Sequence, residues 1–346
     1  MNIAVYKIDG EFIINTLQCN QCLGCIKRAK ATSGCLLLCP NDSLKKRVTY
    51  RISETYELFI CSAKAKTTKN FNILVENIVY AIPTLLNLYT SIKKDTLSET
   101  TKRVDRVVHN LKTLNAHSIQ ELYTLIPQED LMRNLKRSSN IVSSIIERNT
   151  TKAAKVFLHV AKLNLGIKAE FSIYEKLLRG NYNLQKSRCN IRDVIMIVLY
   201  PFFTDFSEKK VIVNVQESYE KAWFDFESFQ VAMYHIIENA AKYVLKESVI
   251  DISFAIHDNM HVVIFNMKSL FLNPSEEQDI FKEGFSGELA KRIKQNGKGI
   301  GMYRARKLLE LNGGTIEFIA GDIVSIVNEI EYANNKIVVC VPDTNG

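Results

Sequence analysis

Glycine is missing from the long stretch between Gly34 and Gly166. Sharp turns that need left-handed backbone are therefore scarce there, and residues 96 to about 180 read as almost wholly helical. A secretory signal is missing too. The start, MNIAVYKIDGEFII, alternates as a strand does and lacks a basic start followed by an apolar run. Long apolar runs are also absent. The most apolar stretch, Ile73 to Tyr89, is interrupted by Glu76, Asn77, Pro83 and Asn87, and reads as too short and too broken to span a bilayer. These absences lead to the expectation of a cytoplasmic chain with no membrane contact, whose cysteines stay reduced or bind metal. Positive charge is not concentrated. The net charge of +8 is spread over Lys45-Lys46-Arg47, Lys102-Arg103, Arg133 to Arg137 and Lys291 to Lys307. Such a spread is expected of solvated surface and argues against a nucleic-acid partner. No internal repeat or low-complexity segment stands out.

What remains is an ordinary globular composition, 47% apolar and 24% charged, over 346 residues, enough for two or three domains. The expected class is α+β in three regions. Residues 1–95 form a cysteine-bearing domain, with strands at Ile3–Tyr6 and Leu58–Cys61 and a helix from Phe71 to Ser91. Residues 96–180 form a helical hairpin. On its first helix Val104, Val108, Leu111, Asn115, Leu122 and Ile126 sit near one face, and Pro127 breaks or bends the helix. On the second, from about Thr150 to Leu178, Ala154, Phe157, Val160, Ala161 and Leu165 form the apolar side. Two such helices bury little core alone, so the hairpin is expected to dimerise into a four-helix bundle. Residues 181–346 alternate strands and helices, with strands at Val211–Val215, Val249–Ile256, Val262–Asn266, Thr315–Ile319 and Lys336–Val341.

The third region holds two elements that together suit a nucleotide triphosphate and its metal. Asn239 sits on a helix whose apolar positions include Val231, Ile236 and Ile237. Its amide oxygen suits Mg²⁺, and Lys242, about a turn on, can meet a phosphate. Some fifty residues later, Gly297, Gly299 and Gly301 let backbone N–H groups approach phosphates, with Lys298 adding charge and a helix N-terminus following. Gly313-Gly314 then caps that helix. A Gly-x-Gly-x-Gly run alone is weak; its distance from the Asn-Ala-Ala-Lys-Tyr element, with Ile280-Phe281 and Phe285 between, makes it specific.

On these residues the stretch from about 165 to 346 resembles the ATP-binding domain of sensor histidine kinases, within the superfamily shared by gyrase, Hsp90 and MutL. Trp223 to Tyr243 resembles the N box, Ile280 to Phe285 the F box, and Gly297 to Gly301 a glycine box. The resemblance implies an α/β sandwich that binds ATP and Mg²⁺, with Asn239, Lys242, Tyr243, Phe281, Gly297, Lys298, Gly299 and Gly301 at the nucleotide and a lid from about Leu270 to Lys298. Two departures stand out. Where the family has Asp-x-Gly-x-Gly, this chain has Asn266-Met267-Lys268; Asn266 keeps an acceptor for adenine, but the glycines are gone. At residue 235, where histidine kinases often carry Asn and gyrase-type ATPases a Glu, stands His235. It could touch a metal-bound water or be a satisfied core histidine.

Upstream, Val108-His109-Asn110-Leu111-Lys112-Thr113-Leu114 resembles the H box of the same family. The resemblance implies His109 as phosphoacceptor, a neutral imidazole attacking the γ-phosphate, and a receiver-domain Asp as the next carrier. Asn110 replaces the usual acid: it can orient the imidazole but cannot take its proton. Leu114 replaces a proline, and Thr113 stands where the family's phosphatase activity is associated. An exposed helix histidine without chemistry is the plain alternative, and His117 a rival on another face.

Five of eight cysteines fall in one run, Cys19-x2-Cys22-x2-Cys25 and Cys35-x3-Cys39-Pro40. That spacing suggests metal. The first triplet and final Cys-Pro resemble a ferredoxin motif for a [4Fe–4S] cluster, although ten residues intrude. Zn²⁺ on Cys19, Cys22, Cys35 and Cys39 is the alternative. Cys61, Cys189 and Cys340 read as core residues.

Overall fold

The computed structural model describes residues 1–17, 26, 34, 36–39, 42–64, 67–132, 138–178, 184–293 and 298–343. The chain divides into two compact units, Met1–Thr100 and Thr101–Gly346.

The first unit is a five-stranded antiparallel sheet: β1 (Asn2–Lys7), β2 (Phe12–Asn15), β3 (Leu37–Cys39), β4 (Asp42–Arg51) and β5 (Tyr56–Ser62), in spatial order β2-β1-β5-β4-β3. The period-2 alternation of β1 and β5 divides their side chains between two faces. Val5, Val48, Leu58 and Ile60 pack against Phe71, Val75, Ile82 and Leu86 of the first helix. Ala4, Tyr6, Phe59 and Cys61 cluster on the other side with Ile26. That helix, α1, runs Thr68–Leu125 with Pro83 inside it, so it does not stop at Ser91 as the sequence suggests. Pro83 is exposed, where the carbonyl it leaves without a helical donor can meet water. Contrary to the expectation for Ile73–Tyr89, α1 is long and apolar enough to cross a membrane by length and composition; its most apolar window has mean hydropathy 1.3.

The second unit begins with the rest of α1. Short helices α2 (Gln128–Met132) and α3 (Ser138–Arg148) lead into α4 (Thr150–Ile173), which widens into a π turn at Tyr174–Leu178. The helix break falls at Pro127, as the sequence indicates. The buried face of α1 is not the expected one. Val104, Val107, Leu111, Leu114, Ser118 and Leu125 are buried or half-buried at spacings of three, four and seven, while Val108, Asn115 and Leu122 are exposed. On α4, Ala153, Val156, Gly166 and Ala169 are buried, whereas Ala154, Phe157 and Ala161 are exposed. Both helices carry two apolar stripes, and packing within one chain covers one of each.

Next come β6 (Lys186–Asn190), α5 (Ile191–Leu199), α6 (Phe203–Glu208), β7 (Ile212–Val215), β8 (Lys221–Asp225), α7 (Phe226–Tyr243), β9 (Val249–His257) and β10 (Met260–Leu270). The chain ends with α8 (Glu288–Arg292), α9 (Gly301–Leu311), β11 (Thr315–Ile319), β12 (Ile323–Val327) and β13 (Ile330–Pro342). The main sheet has order β11-β13-β10-β9-β7, with β12 also on β13; only β7 and β9 pair in parallel. A two-strand ladder joins β6 to β8. One apolar core runs from Ala169 and Ile173 of α4 through α5 and α7 to Val263, Phe265, Ile337 and Val339 of the sheet. Each fully buried Leu, Ile or Phe in it contributes about 1.5–3 kcal/mol relative to exposure.

Two of the three remaining cysteines depart from the core reading: Cys61 is buried, but Cys189 and Cys340 are only half-buried.

Candidate functional site

Helix α7 is buried without a break from Ser228 to Ile237, so it is the central helix of its unit rather than an amphipathic surface helix. Asp225 starts it, accepting a hydrogen bond from the Ser228 backbone N–H at 2.8 Å. The Asp225 carboxylate also pairs with buried Lys176. Burial pushes the Asp225 carboxyl up, but the bonds from Lys176, Ser228 and Gln185 outweigh it and hold it below its ordinary value. At the other end, Lys209 caps α7 by donating to the carbonyls of Ala241 and Lys242 at 2.7 and 2.8 Å. Beyond this buried stretch, only the two ends of α7 reach solvent, Phe226 and Glu227 at its start and its last turns. Glu238, Asn239, Lys242 and Tyr243 are half-exposed, and with buried His235 they share a face through i, i+3 and i+4 spacing.

That face lines a cavity of ≈ 610 Å³, within the range of small-molecule sites. Its walls come from α1, α4, α7, β10, the segment before α8, and the start of α9, all inside the second unit. Lys298, Gly299 and Gly301 line it; Gly297 lies outside the described residues. Gly299 has φ +67°, and a Cβ there would stand 2.2 Å from the Phe285 carbonyl oxygen. Glycine is therefore required twice over, for its conformation and for the close approach that lets Gly284 N–H donate to Gly299 at 2.9 Å. Gly301 opens α9. Its N-cap, Ile300, supplies no side-chain cap, and no acid sits in the first turn. Residues Ile300, Gly301 and Met302 at this N-terminus line the cavity, and the uncapped amides of a helix start suit an anion. Gly313 caps the far end with φ +78°.

The hairpin supplies the opposite wall. His109 is exposed, and His109, Asn110 and Thr113 line the same cavity as Asn239. Asn110 is held from both sides: its Nδ2 donates to Glu170 Oε1 at 3.0 Å, and Lys298 Nζ donates to its Oδ1 at 2.5 Å. Thr113 spends its hydroxyl on the His109 carbonyl at 2.9 Å. Glu170 is buried and pairs in a fork with Arg304, at 2.8 and 3.3 Å, joining α4 to α9. One turn before Asn110, exposed Arg106 reaches Glu283 at 3.3 Å. His117 is exposed and does not line the cavity.

His235 is 5% exposed. Among the described residues neither ring nitrogen has a hydrogen-bond partner. The Glu238 carboxylate stands 3.7 Å from Nδ1, beyond hydrogen-bond reach. A Cβ built on Gly301 would lie 3.6 Å from His235 Nδ1 and 3.7 Å from Asn239 Nδ2, ordinary van der Waals contacts, so the start of α9 packs against this face of α7.

Two expected residues are not at the cavity. Asn266 is exposed on β10, while its neighbours Met267 and Ser269 line the cavity. Strand alternation sends 266 to the opposite face. Phe281 is a core residue, 5% exposed, with Arg306 over its ring at 5.6 Å; Ile280 and Phe285 line the cavity instead. Several lining residues escape the sequence reading. Ser269 Oγ accepts from buried Asn335 at 2.8 Å, which leaves its own hydrogen free to donate into the cavity. Glu170 interrupts an apolar helix, a carboxylate that burial obliges to find a partner. Arg304 lies one turn beyond Gly301.

Of the cysteine run, Cys19, Cys22, Cys25 and Cys35 lie outside the described residues, and Cys39 is a half-buried free thiol ending β3. Among the described residues no three His, Cys, Asp or Glu side chains gather as a metal group.

No family model and no curated protein matches the chain. Solved structures do. The histidine kinase AdeS of Acinetobacter baumannii is 14% identical over 68% of this chain and 98% of its own, with TM-score 0.39. The catalytic domain of histidine kinase ThkA is 14% identical over 47% and 100%, with TM-score 0.37. Full-length ShkA in complex with AMPPNP is 14% identical over 68% of this chain and 46% of its own, with TM-score 0.39. Likenesses this distant leave the reading of the site to the chain's own residues.

Proposed function

We propose that this chain is an ATP-dependent protein histidine kinase that phosphorylates its own His109. The observation that carries the reading is that His109 and the Asn239–Lys242 face line one cavity with the Gly299–Gly301 loop. Backbone amides at the start of α9, with Lys242 and Lys298, supply donors and charge for a polyphosphate. Met267, Phe318 and Ile337 give an apolar wall for a base, and the Ser269 hydroxyl is a donor beside them. The half-exposed Asn239 also suits a nucleotide-borne divalent cation such as Mg²⁺, because its side chain carries an amide oxygen at the cavity. Such a cation, when bound, neutralises phosphate charge.

In the reaction a neutral His109 nitrogen attacks the γ-phosphorus. The bond from that phosphorus to the β,γ-bridging oxygen breaks, ADP leaves, and the imidazole loses its N–H proton to solvent water, since His109 is exposed. Asn110, fixed by Lys298 and Glu170, cannot accept that proton, so transfer is slower than with an acid at 110. An Asp on a partner receiver domain then takes the phosphoryl group. Exposed Val108, Ile119 and Leu122 of α1 and Phe157 and Phe171 of α4 support a homodimer built on the hairpin. Sedimentation is expected to give a dimer, and Phe157→Asp a monomer.

Incubation with γ-labelled ATP tests the kinase reading. The expected label is acid-labile, base-stable and absent from His109→Gln. An acid-stable label, or one that survives His109→Gln, overturns it. Asn110 in the acid's position favours a second reading, an ATP-binding regulatory module, which nucleotide binding without any label would support. For the N-terminal unit, the Cys19–Cys39 spacing supports metal. Visible absorption that bleaches on reduction indicates an iron–sulfur cluster; a colourless protein with stoichiometric zinc indicates a zinc staple.

A further inference from the structure

We propose that the cavity does not select adenine, and that the chain takes GTP as readily as ATP because Ser269 stands at the edge of the base. The inference rests on the nucleotide reading above and deepens it by naming the substrate class. With phosphate at the start of α9 and beside Lys242, the base falls against the sheet wall. Strand register builds that wall. Met267 and Ser269 share the inward face of β10 through their spacing of two, and the directly paired Ile337 of β13 and Phe318 of β11 continue it. Three of these four side chains are apolar and support a base without reading it. Ser269, 5% exposed, is the one among the four with a hydroxyl to offer.

Asn335 fixes what Ser269 has left to offer. Its side chain is fully buried and its orientation is unambiguous: Oδ1 accepts from the Gly321 N–H at 3.2 Å, while Nδ2 donates to the Leu270 carbonyl at 2.9 Å and to Ser269 Oγ at 2.8 Å. A flipped amide would set oxygen against oxygen at Leu270. One lone pair of Ser269 Oγ is therefore used, and its hydrogen and a second lone pair remain. Such a hydroxyl donates to a 6-oxo group or a ring nitrogen and accepts from a 6-amino group, so it suits guanine and adenine alike. Selecting adenine takes an acceptor-only group at the 6-amino position. Among the described residues two carboxylates line the cavity, and neither belongs to the sheet wall. Glu170 of α4 is occupied by Arg304 and Asn110. Glu238 precedes Asn239 on α7, beside Tyr234 and His235. Asn266 is exposed on the other face of β10. Discrimination arises where the wrong ligand leaves a buried polar group unpaired, and neither purine does so at Ser269.

The experiment uses the full-length protein with Mg²⁺ and non-hydrolysable analogues of ATP and GTP. Calorimetry is expected to give two affinities that differ by less than about tenfold. Ser269→Asp keeps an acceptor for Asn335 and adds an acceptor-only group at the base. It is expected to move the affinity ratio at least about tenfold toward the ATP analogue. An unchanged ratio removes Ser269 from the base edge and overturns the inference. Should Ser269→Asp fail to fold, Ser269→Ala takes its place and is expected to weaken both analogues by a similar factor, about threefold or more. Unweakened binding, or weakening of one analogue alone, overturns the inference. A wild-type preference for either analogue beyond about tenfold also overturns it and leaves the nucleotide reading standing. No binding of either analogue overturns both.

Discussion

The two walls of the cavity are held by different forces. The nucleotide wall, formed by the end of α7 and the start of α9, is anchored by the main apolar core and by buried polar clamps. Asn312 is one such clamp: fully buried, it donates to Ser228 Oγ and accepts from the Asp225 N–H, at 2.8 and 2.7 Å. On the acceptor wall α4 shares that core through Ala169 and Ile173 and holds the buried Glu170–Arg304 pair, while α1, carrying His109, adds polar contacts, Asn110–Lys298 at the margin and Arg106–Glu283 outside. Elements set by core burial keep their geometry; exposed polar contacts such as those of α1 can release when one is exchanged for another. That asymmetry suits a reaction in which the acceptor helix must approach a fixed nucleotide and then present its product elsewhere.

The largest effect is expected at the inner contact. Glu170→Ala strands a buried Arg304 charge and should cost about 4 kcal/mol in denaturant unfolding. Arg106→Ala, breaking the exposed pair made by α1, should cost less than about 1 kcal/mol in the same assay. Equal costs would mean that burial does not grade this wall.

On the nucleotide wall, Asp225→Asn keeps a capping oxygen but leaves Lys176 only the half-exposed Glu227 at 3.7 Å, and should cost about 2 kcal/mol at neutral pH. Its pH dependence has a definite sign. The folded carboxyl lies below its ordinary value of 3.8, so its contribution is complete above that value and is lost as pH falls below it. Wild type and Asp225→Asn should therefore converge in stability toward acid; a constant gap between them would refute the charge pairing.

The smallest predicted change in stability separates two glycines of one loop. Gly299→Ala must strain left-handed backbone and displace the Phe285 carbonyl, at about 2 kcal/mol. Gly301→Ala meets only ordinary contacts and should leave the melting temperature nearly unchanged while weakening nucleotide binding. Thermal unfolding with and without nucleotide reads both quantities.

Much of this was legible beforehand. The β9, β10 and β13 strands announce themselves through runs such as Val-Val-Ile-Phe and Ile-Val-Val-Cys-Val, and the Asn239–Lys242 face follows from helical spacing. Strand β6, Lys-Ser-Arg-Cys-Asn, does not: it is short and polar, and exists because β8 pairs with it. The buried stripe on α1 was misread for a related reason. Val104 and Leu111 belong to one seam and Val108 and Leu122 to another, and periodicity alone cannot say which seam a neighbour covers.

The sequence by itself determined which residues could contact a phosphate or a cation, since residue chemistry and local spacing travel with the chain. It also determined that Gly299 and Gly301 open a helix. Only the tertiary structure decided that Asn266 faces away, that Ser269, Glu170 and Arg304 face in, and that His235 is buried beside Glu238. Those outcomes depend on contacts between elements far apart in the chain, such as α4 with α9, and no local pattern encodes which distant surface a side chain will meet.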